Sequence, residues 1–410
     1  MAGHQILLDA TRTHIVVAAL GITQIIGYGT LYYSFSALAA SMAKDIGWPQ
    51  EWVFGVFSIS LLVGGLAAPI AGSWIDRYGA GSVMAVGSTG AAISLVVCAL
   101  APGPFMFAVA LMAIELAATF VLYNAAFALL VQLNPTTAQR NIVHLTLIAG
   151  FASTIFWPLT STLHEQLSWR EVYLVFAAVH LLLCLPIHIW LARLSGVAIA
   201  VDPRAASTKR HVEGSLPAEH RQSAFVLMVI GFALLSLVDA AILVHMLPML
   251  SALGLGSTSV LIGTLFGPAQ VASRLFSMLS GERIPALGLA LISSLLVPLS
   301  VAVLLSSGTW IPGALAFAVL FGLGAGLASI VQGTLPLTLF GSSGYGQRVG
   351  KATAVRLTTS AAAPFVFAFM MQHVGVEVSL AIFAALAVTA AISFAAIHQP
   401  KRRSLIREPS

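Results

Sequence analysis

Four ionisable side chains stand inside long apolar runs: Glu115, Asp239, Arg274 and Arg356. At the centre of a bilayer-spanning helix such a residue costs about 2.5–3.5 kcal/mol on insertion scales, so each needs a function or a partner. Arg274 and Arg356 each lie about seven residues from the same-side end of their runs, which at ~1.5 Å per residue puts both roughly 10 Å inside. Two guanidiniums at one depth can face one anion, and arginine's planar fork takes a carboxylate through paired hydrogen bonds. The competing role is snorkelling, with both heads reaching back to the lipid headgroups. Asp239 is open to three roles: a protonation site, an ion-pair partner for an arginine, or part of an outer cavity wall. Glu115 has no arginine inside the spans of its own half of the chain and shares a helical stripe with Thr119 and Tyr123.

Polar and aromatic residues at helical spacing surround these charges. Gln270 precedes Arg274 by four residues and shares its face, while Thr359 and Ser360 share one with Arg356. Gln24, Tyr28 and Tyr32 recur every four residues in the first run, which places two phenols and an amide on one side. Trp157, beside Ser153, Thr154 and Pro158, either walls a small pocket or packs. His144, His180, His188 and His245 lie at scattered depths and do not make a metal site. Gly322-Leu323-Gly324-Ala325-Gly326 has the look of a dinucleotide loop, but no strand precedes it, so close helix packing is the better reading.

The elements that position these residues follow from composition. Of 410 residues, 59% are hydrophobic and 8% charged, against roughly 25% charged in a soluble domain; mean hydropathy is +0.96. A soluble enzyme, a disordered chain and a nucleic-acid module are excluded. No nucleophile stands beside an acid–base pair at motif spacing, so the chain is not read as an enzyme, and no cofactor is expected. Cys98 and Cys184 both lie in apolar runs and make a poor disulfide framework.

Runs of about 20 apolar residues, enough to span a bilayer, occur at about 14–40, 52–75, 80–101, 104–131, 142–163, 172–193, 223–250, 257–281, 285–306, 309–336, 350–372 and 377–398. The polar stretch 195–222 divides them six and six. With both termini cytoplasmic, fifteen of the nineteen Lys and Arg face the cytoplasm, Lys44 and Arg170 face out, and two lie inside spans. That asymmetry is a positive-inside signal. The halves repeat at an offset of 206: Asp76-Arg77 matches Glu282-Arg283, and Glu171-Val172-Tyr173-Leu174 matches Glu377-Val378-Ser379-Leu380. Internal repeats around a midplane site are the usual build of secondary transporters.

The loop Gly72-Ser73-Trp74-Ile75-Asp76-Arg77-Tyr78-Gly79 resembles the G-x-x-x-D-R-x-G loop of the major facilitator superfamily. Its glycines allow helix ends to approach, and its Asp can bond a helix N-terminus or an arginine at a cytoplasmic gate. A finer resemblance is to the monocarboxylate transporter and oxalate–formate antiporter branch. Gly47-Trp48, Phe57-Ser58, Pro69 and Gly72 carry it, with Phe340-Gly341, Tyr345-Gly346, Gly350, Arg356 and Pro364, and with Arg274 eight residues before Glu282. That branch implies a small carboxylate held by the basic residues of spans eight and eleven. The chain departs from it at Gln270 and Met278, where mammalian-type monocarboxylate carriers have an acidic residue and a glycine.

The expectation is therefore an all-α membrane protein, twelve transmembrane helices in two six-helix pseudo-repeat bundles, with the major facilitator fold. Its parts are an N-terminal bundle (1–194), a central cytoplasmic loop (195–222), a C-terminal bundle (223–400) and a basic cytoplasmic tail (401–410). The expected activity is secondary transport of a small mono- or dicarboxylate by alternating access, proton-coupled or exchanging, in a bacterial inner membrane and as a monomer. Arg274, Arg356, Gln270, Tyr28, Tyr32 and Trp157 would hold the substrate. Asp239 and Glu115 would couple protons or pair with arginines, and Gly72, Asp76, Arg77, Gly79, Glu282 and Arg283 would form the gate. No metal or nucleic acid is expected, and membrane lipid is the other partner, with Lys401-Arg402-Arg403 as a topology lock touching anionic headgroups. The rival is an exporter of a hydrophobic drug or metabolite, with both arginines in structural ion pairs.

Overall fold

A computed structural model describes residues 2–200 and 212–397; the basic tail lies outside the described residues. In a bilayer every backbone polar group needs a partner within the protein, so an apolar chain of this kind folds into helices. The first span is α1 (Ala2–Tyr28) and α2 (Ser34–Ile46), joined by a π-helical turn at Gly29–Tyr33. The second and third are α3 (Gln50–Tyr78) and α4 (Ala80–Ala99). The fourth is α5 (Pro104–Val121) and α6 (Tyr123–Leu133), and the fifth is α7 (Ala138–Ala149) and α8 (Ala152–Gln166). The sixth joins α9 (Trp169–Val179) to α10 (Leu185–Ala200) through a π-helical turn at His180–Cys184.

In the second half, α11 (Arg221–Leu250) is followed by α12 (Ser259–Thr264) and α13 (Phe266–Ser280), which together make the eighth span. Then come α14 (Ala286–Ser307), α15 (Ile311–Phe340), α16 (Tyr345–Val374) and α17 (Val376–Ala395). Among the described residues ten helical segments are long and apolar enough to cross a membrane, two fewer than expected from sequence. The fifth and eighth spans account for the difference. Each is interrupted, the fifth at Gly150–Phe151 and the eighth at Leu265, so neither runs unbroken for a bilayer's width. The sixth span also continues further than expected, because Val197-Ala198-Ile199-Ala200 is apolar and sustains the helix.

The interruptions are sealed by side chains. At the α5–α6 break Leu122 is extended (φ −80°, ψ −164°), and Gln24 Nε2 donates to the Val121 carbonyl at 2.7 Å. Thr119 Oγ1 donates to Gly64 O at 3.0 Å, tying the fourth span to the second. The π-helical turns of the first and sixth spans meet where Thr30 Oγ1 lies 2.8 Å from His180 Nε2. Cys98 and Cys184 are buried and unbridged.

The halves form separate hydrophobic cores, and a third core joins them on the side that carries the basic loops. There Leu337, Tyr345 and Val349 of the second half pack with Ile75, Phe127 and Ile142 of the first. The closest approach is between α3 and α16. Gly72 lies against the Gly346 backbone, Gly350 against the Ala68 carbonyl, and Gly65 against Leu357. A side chain at Gly72 or Gly350 would meet backbone there, not a movable group. Asp76 completes this seam: its carboxylate accepts from Gly346 N at 3.0 Å and Gln347 N at 2.8 Å. These are first-turn amides of α16, which have no partners inside their own helix and favour negative charge.

Residues 212–216 of the central loop dock on the second half. Ser215 N donates to Thr338 O at 2.9 Å, and Ser342 N to Val212 O at 3.1 Å. On the opposite side the strongest fastening stays within the first half. Arg170 pairs with Asp45 at 2.9 Å and donates to the carbonyls of Ala99 and Ala101. The seam is thus closed on the basic side.

Replacing Gly72 by Leu should force α3 and α16 apart. A cysteine placed at Ala68, which is 1% exposed, should then label with a membrane-impermeant maleimide much faster than in the unmodified background. The buried native thiols keep that background low.

Candidate functional site

A cavity of about 280 Å³ lies on the seam, above the Gly72–Gly346 contact. Tyr28 and Tyr32 of the first span, Gly64 of α3, and Glu115, Thr119, Tyr123 and Asn124 of the fourth span line it from one half. Phe232, Gln332, Thr353 and Arg356 line it from the other. At ~30 Å³ per water it holds roughly nine waters, the size of a small metabolite.

The α5–α6 break shapes this wall. It turns Tyr123 and Asn124 inward one turn below Thr119, and Thr353 Oγ1 donates to Asn124 Oδ1 at 3.0 Å across the seam. The Tyr28 and Tyr123 rings meet at 4.7 Å, and Tyr123 stacks on Phe127 at 4.8 Å with the planes 13° apart. Ring faces of this kind favour apolar or cationic groups over anions.

Arg356 and Glu115 line the cavity from opposite halves. Arg356 is half-buried and makes no ion pair or hydrogen bond among the described residues. Tyr28, Tyr32 and Asp239 all lie close enough to feel its charge. Glu115 is 7% exposed, and among the described residues its Oε1 has no hydrogen-bond partner. Asp239 Oδ1 is likewise buried and unpartnered, but Asp239 sits behind the wall and not in it.

Arg274 takes a different place from the one its depth suggested. It is buried at 6% exposure and does not line the cavity. Its Nε donates to Ser329 Oγ at 3.1 Å and its Nη1 reaches the Thr146 carbonyl at 3.4 Å. The physical reason is the interruption of the fifth span. The Phe151 amide turns to Ile148 O while Thr146 O keeps Gly150 N at 3.0 Å, so the guanidinium adds a second donor to that carbonyl, and Gly150 offers no side chain to keep it out. The shared-anion arrangement of Arg274 and Arg356 is therefore not formed in this conformation. Gln270 goes with Arg274, its backbone packed on Gly326 of α15. Trp157 lies in α8 and Glu282 in the turn after α13, and both side chains lie outside the described residues.

The expected gate residues separate in the same way. Gly72 and Asp76 make the seam contacts, and Gly79 adopts a positive φ of 84° that ends α3. Arg77 is exposed and lies over the Tyr78 ring at 5.2 Å, and Arg283 is exposed. Sequence reading missed Asn124, Gln332 and Thr353. Thr353 had a usable signal, standing three residues before Arg356 on one helix face. Gln332 is a lone amide in an apolar run. Asn124 had none, because its direction depends on a helix break that no proline or glycine marks.

Arg274→Ala should loosen the fifth, eighth and tenth spans on the basic side. A cysteine at Thr146, which is fully buried, should gain maleimide reactivity in that variant, and Gly150→Ala should act in the same direction by crowding the guanidinium.

Residues 20–365 match the family model of the Major Facilitator Superfamily. No curated protein matches the sequence. Among solved structures, the human organic anion transporter MFSD10 (TETRAN) superposes with a TM-score of 0.72 at 16% identity, over 93% of this chain and 99% of that one. The proton:xylose symporter XylE gives 0.69 at 13% identity, over 93% and 95%. The E. coli fucose:proton symporter FucP gives 0.65 at 12% identity, over 95% and 100%. At these identities the likeness is one of fold. The matched length of the family model, the helical spans and the seam between two halves together make this chain an integral membrane protein that belongs to the major facilitator superfamily, a secondary transporter working by alternating access.

Proposed function

We propose that the protein carries a small organic anion with a carboxylate group, and that Arg356 holds that carboxylate. The observation that carries this reading is a guanidinium in the cavity wall, at the seam of the two halves, with no ion-pair partner among the described residues. Desolvating such a charge on closure is costly unless a partner enters with the substrate. Tyr28 and Tyr32 add hydroxyls from the facing half, so one carboxylate can be gripped by both halves at once. That bridging is what drives closure on the far side and release of the Asp76 seam. A single arginine in the cavity favours a monocarboxylate over a dicarboxylate, which Arg274 is not placed to share. Arg274 and Gln270 serve instead as an inter-half fastening, and coupling to protons or to exchange rests on Asp239.

The likeness to MFSD10, a human organic anion transporter, agrees with this reading, although sugar symporters share the fold. The rival, export of a hydrophobic drug, needs both arginines in ion pairs with Asp239 and Glu115, and no such pair occurs among the described residues. The cavity is also at the small end of the roughly 300–1,000 Å³ of drug pockets. We place the basic side and both termini in the cytoplasm of a bacterial cell, with the protein a monomer in the inner membrane.

Counterflow in proteoliposomes tests this with labelled monocarboxylates, dicarboxylates, a neutral sugar and a lipophilic cation, with and without a pH gradient. Uptake of a monocarboxylate is expected. Arg356→Gln should lower it by roughly two orders of magnitude, because losing one partner of a buried charge pair costs about 2–5 kcal/mol. Arg274→Gln should slow turnover while leaving the half-saturating concentration nearly unchanged. Transport of the lipophilic cation alone would sink the anion reading and leave the fold untouched.

A further inference from the structure

One acid and one base line the cavity, and a second acid lies outside its wall. Arg356 is its one cation among the described residues, whereas Glu115 stands in the wall and Asp239 lies behind Arg356 within reach of its charge. A plain carboxylate on Arg356 leaves Glu115 without a partner when water is closed out, which is unfavourable. A carboxylate that brings a positive charge with it supplies that partner.

The place for that charge is built. Glu115 belongs to the fourth span in the first half, and Arg356 to α16 in the second, so the two charges come from facing halves. Tyr32 lines the same cavity and lies close enough to both to feel their charges. Tyr32 is the cavity tyrosine close enough to Glu115 to feel its charge, and Tyr28, Tyr123 and Phe127 continue the aromatic wall, Tyr28 against Tyr123 at 4.7 Å and Tyr123 stacked on Phe127. Ring faces beside a carboxylate recognise an ammonium group. Glu115 is more than nine-tenths buried, and its Oε1 is unpartnered among the described residues.

We infer that the substrate is a small zwitterion with separated charges, its carboxylate on Arg356 and its ammonium between Glu115 and the tyrosine rings. This deepens the carboxylate reading and rests on Arg356 as the carboxylate site. Because the two charges come from opposite halves, a molecule that bears its ammonium on a chain, as ω-amino acids and their N-trimethyl betaines do, fits better than an α-amino acid. A dicarboxylate is excluded by Glu115. A zwitterion also links the halves through two ionic contacts, so that substrate rather than an empty cavity completes closure.

The experiment measures binding to purified full-length protein by thermal shift and calorimetry, followed by counterflow. The probes are ω-amino acids of two to six carbons, their N-trimethyl forms, the desamino acids of equal length, and the corresponding amines without a carboxyl group. At one chain length the zwitterion should bind roughly tenfold or more tighter than either single-charge analogue, a difference of about 1.4 kcal/mol. Glu115→Gln should erase that preference and leave the desamino acid unaffected or better bound, while Arg356→Gln should abolish both. Glu115→Asp, which keeps the charge, should retain the preference, and the wild-type ratio decides the matter should Glu115→Gln not fold. Equal binding of desamino acid and zwitterion, with Glu115→Gln losing only stimulation by a pH gradient, would make Glu115 a proton site and overturn the zwitterion while the carboxylate reading stands. Binding of the amines alone, unaffected by Arg356→Gln, would overturn both.

Discussion

One contact organises the conformation: the Asp76 carboxylate seated on the first amides of α16. It works because a helix beginning in the membrane interface has free N–H groups and a partial positive charge, and the nearest anion supplied by the other half of the chain can satisfy both. Glycines make the seat reachable. Without side chains at Gly72, Gly346 and Gly350 the two backbones come within direct contact, and an acidic side chain as short as aspartate suffices. Everything above the seam, including the depth and floor of the cavity, follows from that closure.

A second constraint runs through the interior. Helices that break inside a membrane must have their freed carbonyls resatisfied, and here the repair is made by residues that could otherwise have been taken for substrate ligands. Gln24 repairs the fourth span at Val121, and Arg274 reaches the interrupted fifth span at Thr146. The repaired break in turn directs Tyr123 and Asn124 into the cavity. The substrate site is in this sense a by-product of where the helices fail to be regular. Residues left without protein partners at that place, Arg356 and Glu115, are the ones free to meet a ligand.

The fold was legible because its signals are collective. Long apolar runs, a skewed distribution of arginine and lysine, and a repeat at a fixed offset do not depend on any single side chain. The contacts of Gly72 and Asp76 at the seam were legible because a loop of local geometry sets their positions. The site was legible in part. Tyr28, Tyr32, Arg356 and Glu115 were visible as polar residues at helical spacing in apolar surroundings, and the cavity brings them together. Arg274 was placed at the right depth and on the wrong task, because depth along a helix says nothing of rotation about it or of a break in a neighbouring span. The interruption at Leu122 leaves no mark in composition, so the residue it orients, Asn124, could not be read in advance, whereas Gly267-Pro268 marks the one at Leu265.

The fastenings are unevenly distributed. On one face Asp76 is exposed to water and joins the two halves; on the other, Arg170 and Asp45 join two parts of the same half. Mobile ions screen exposed charge contacts more strongly as their concentration rises. Salt in the compartment facing Asp76 therefore acts on the contact between the halves, whereas salt facing Arg170 acts on the internal firmness of one half.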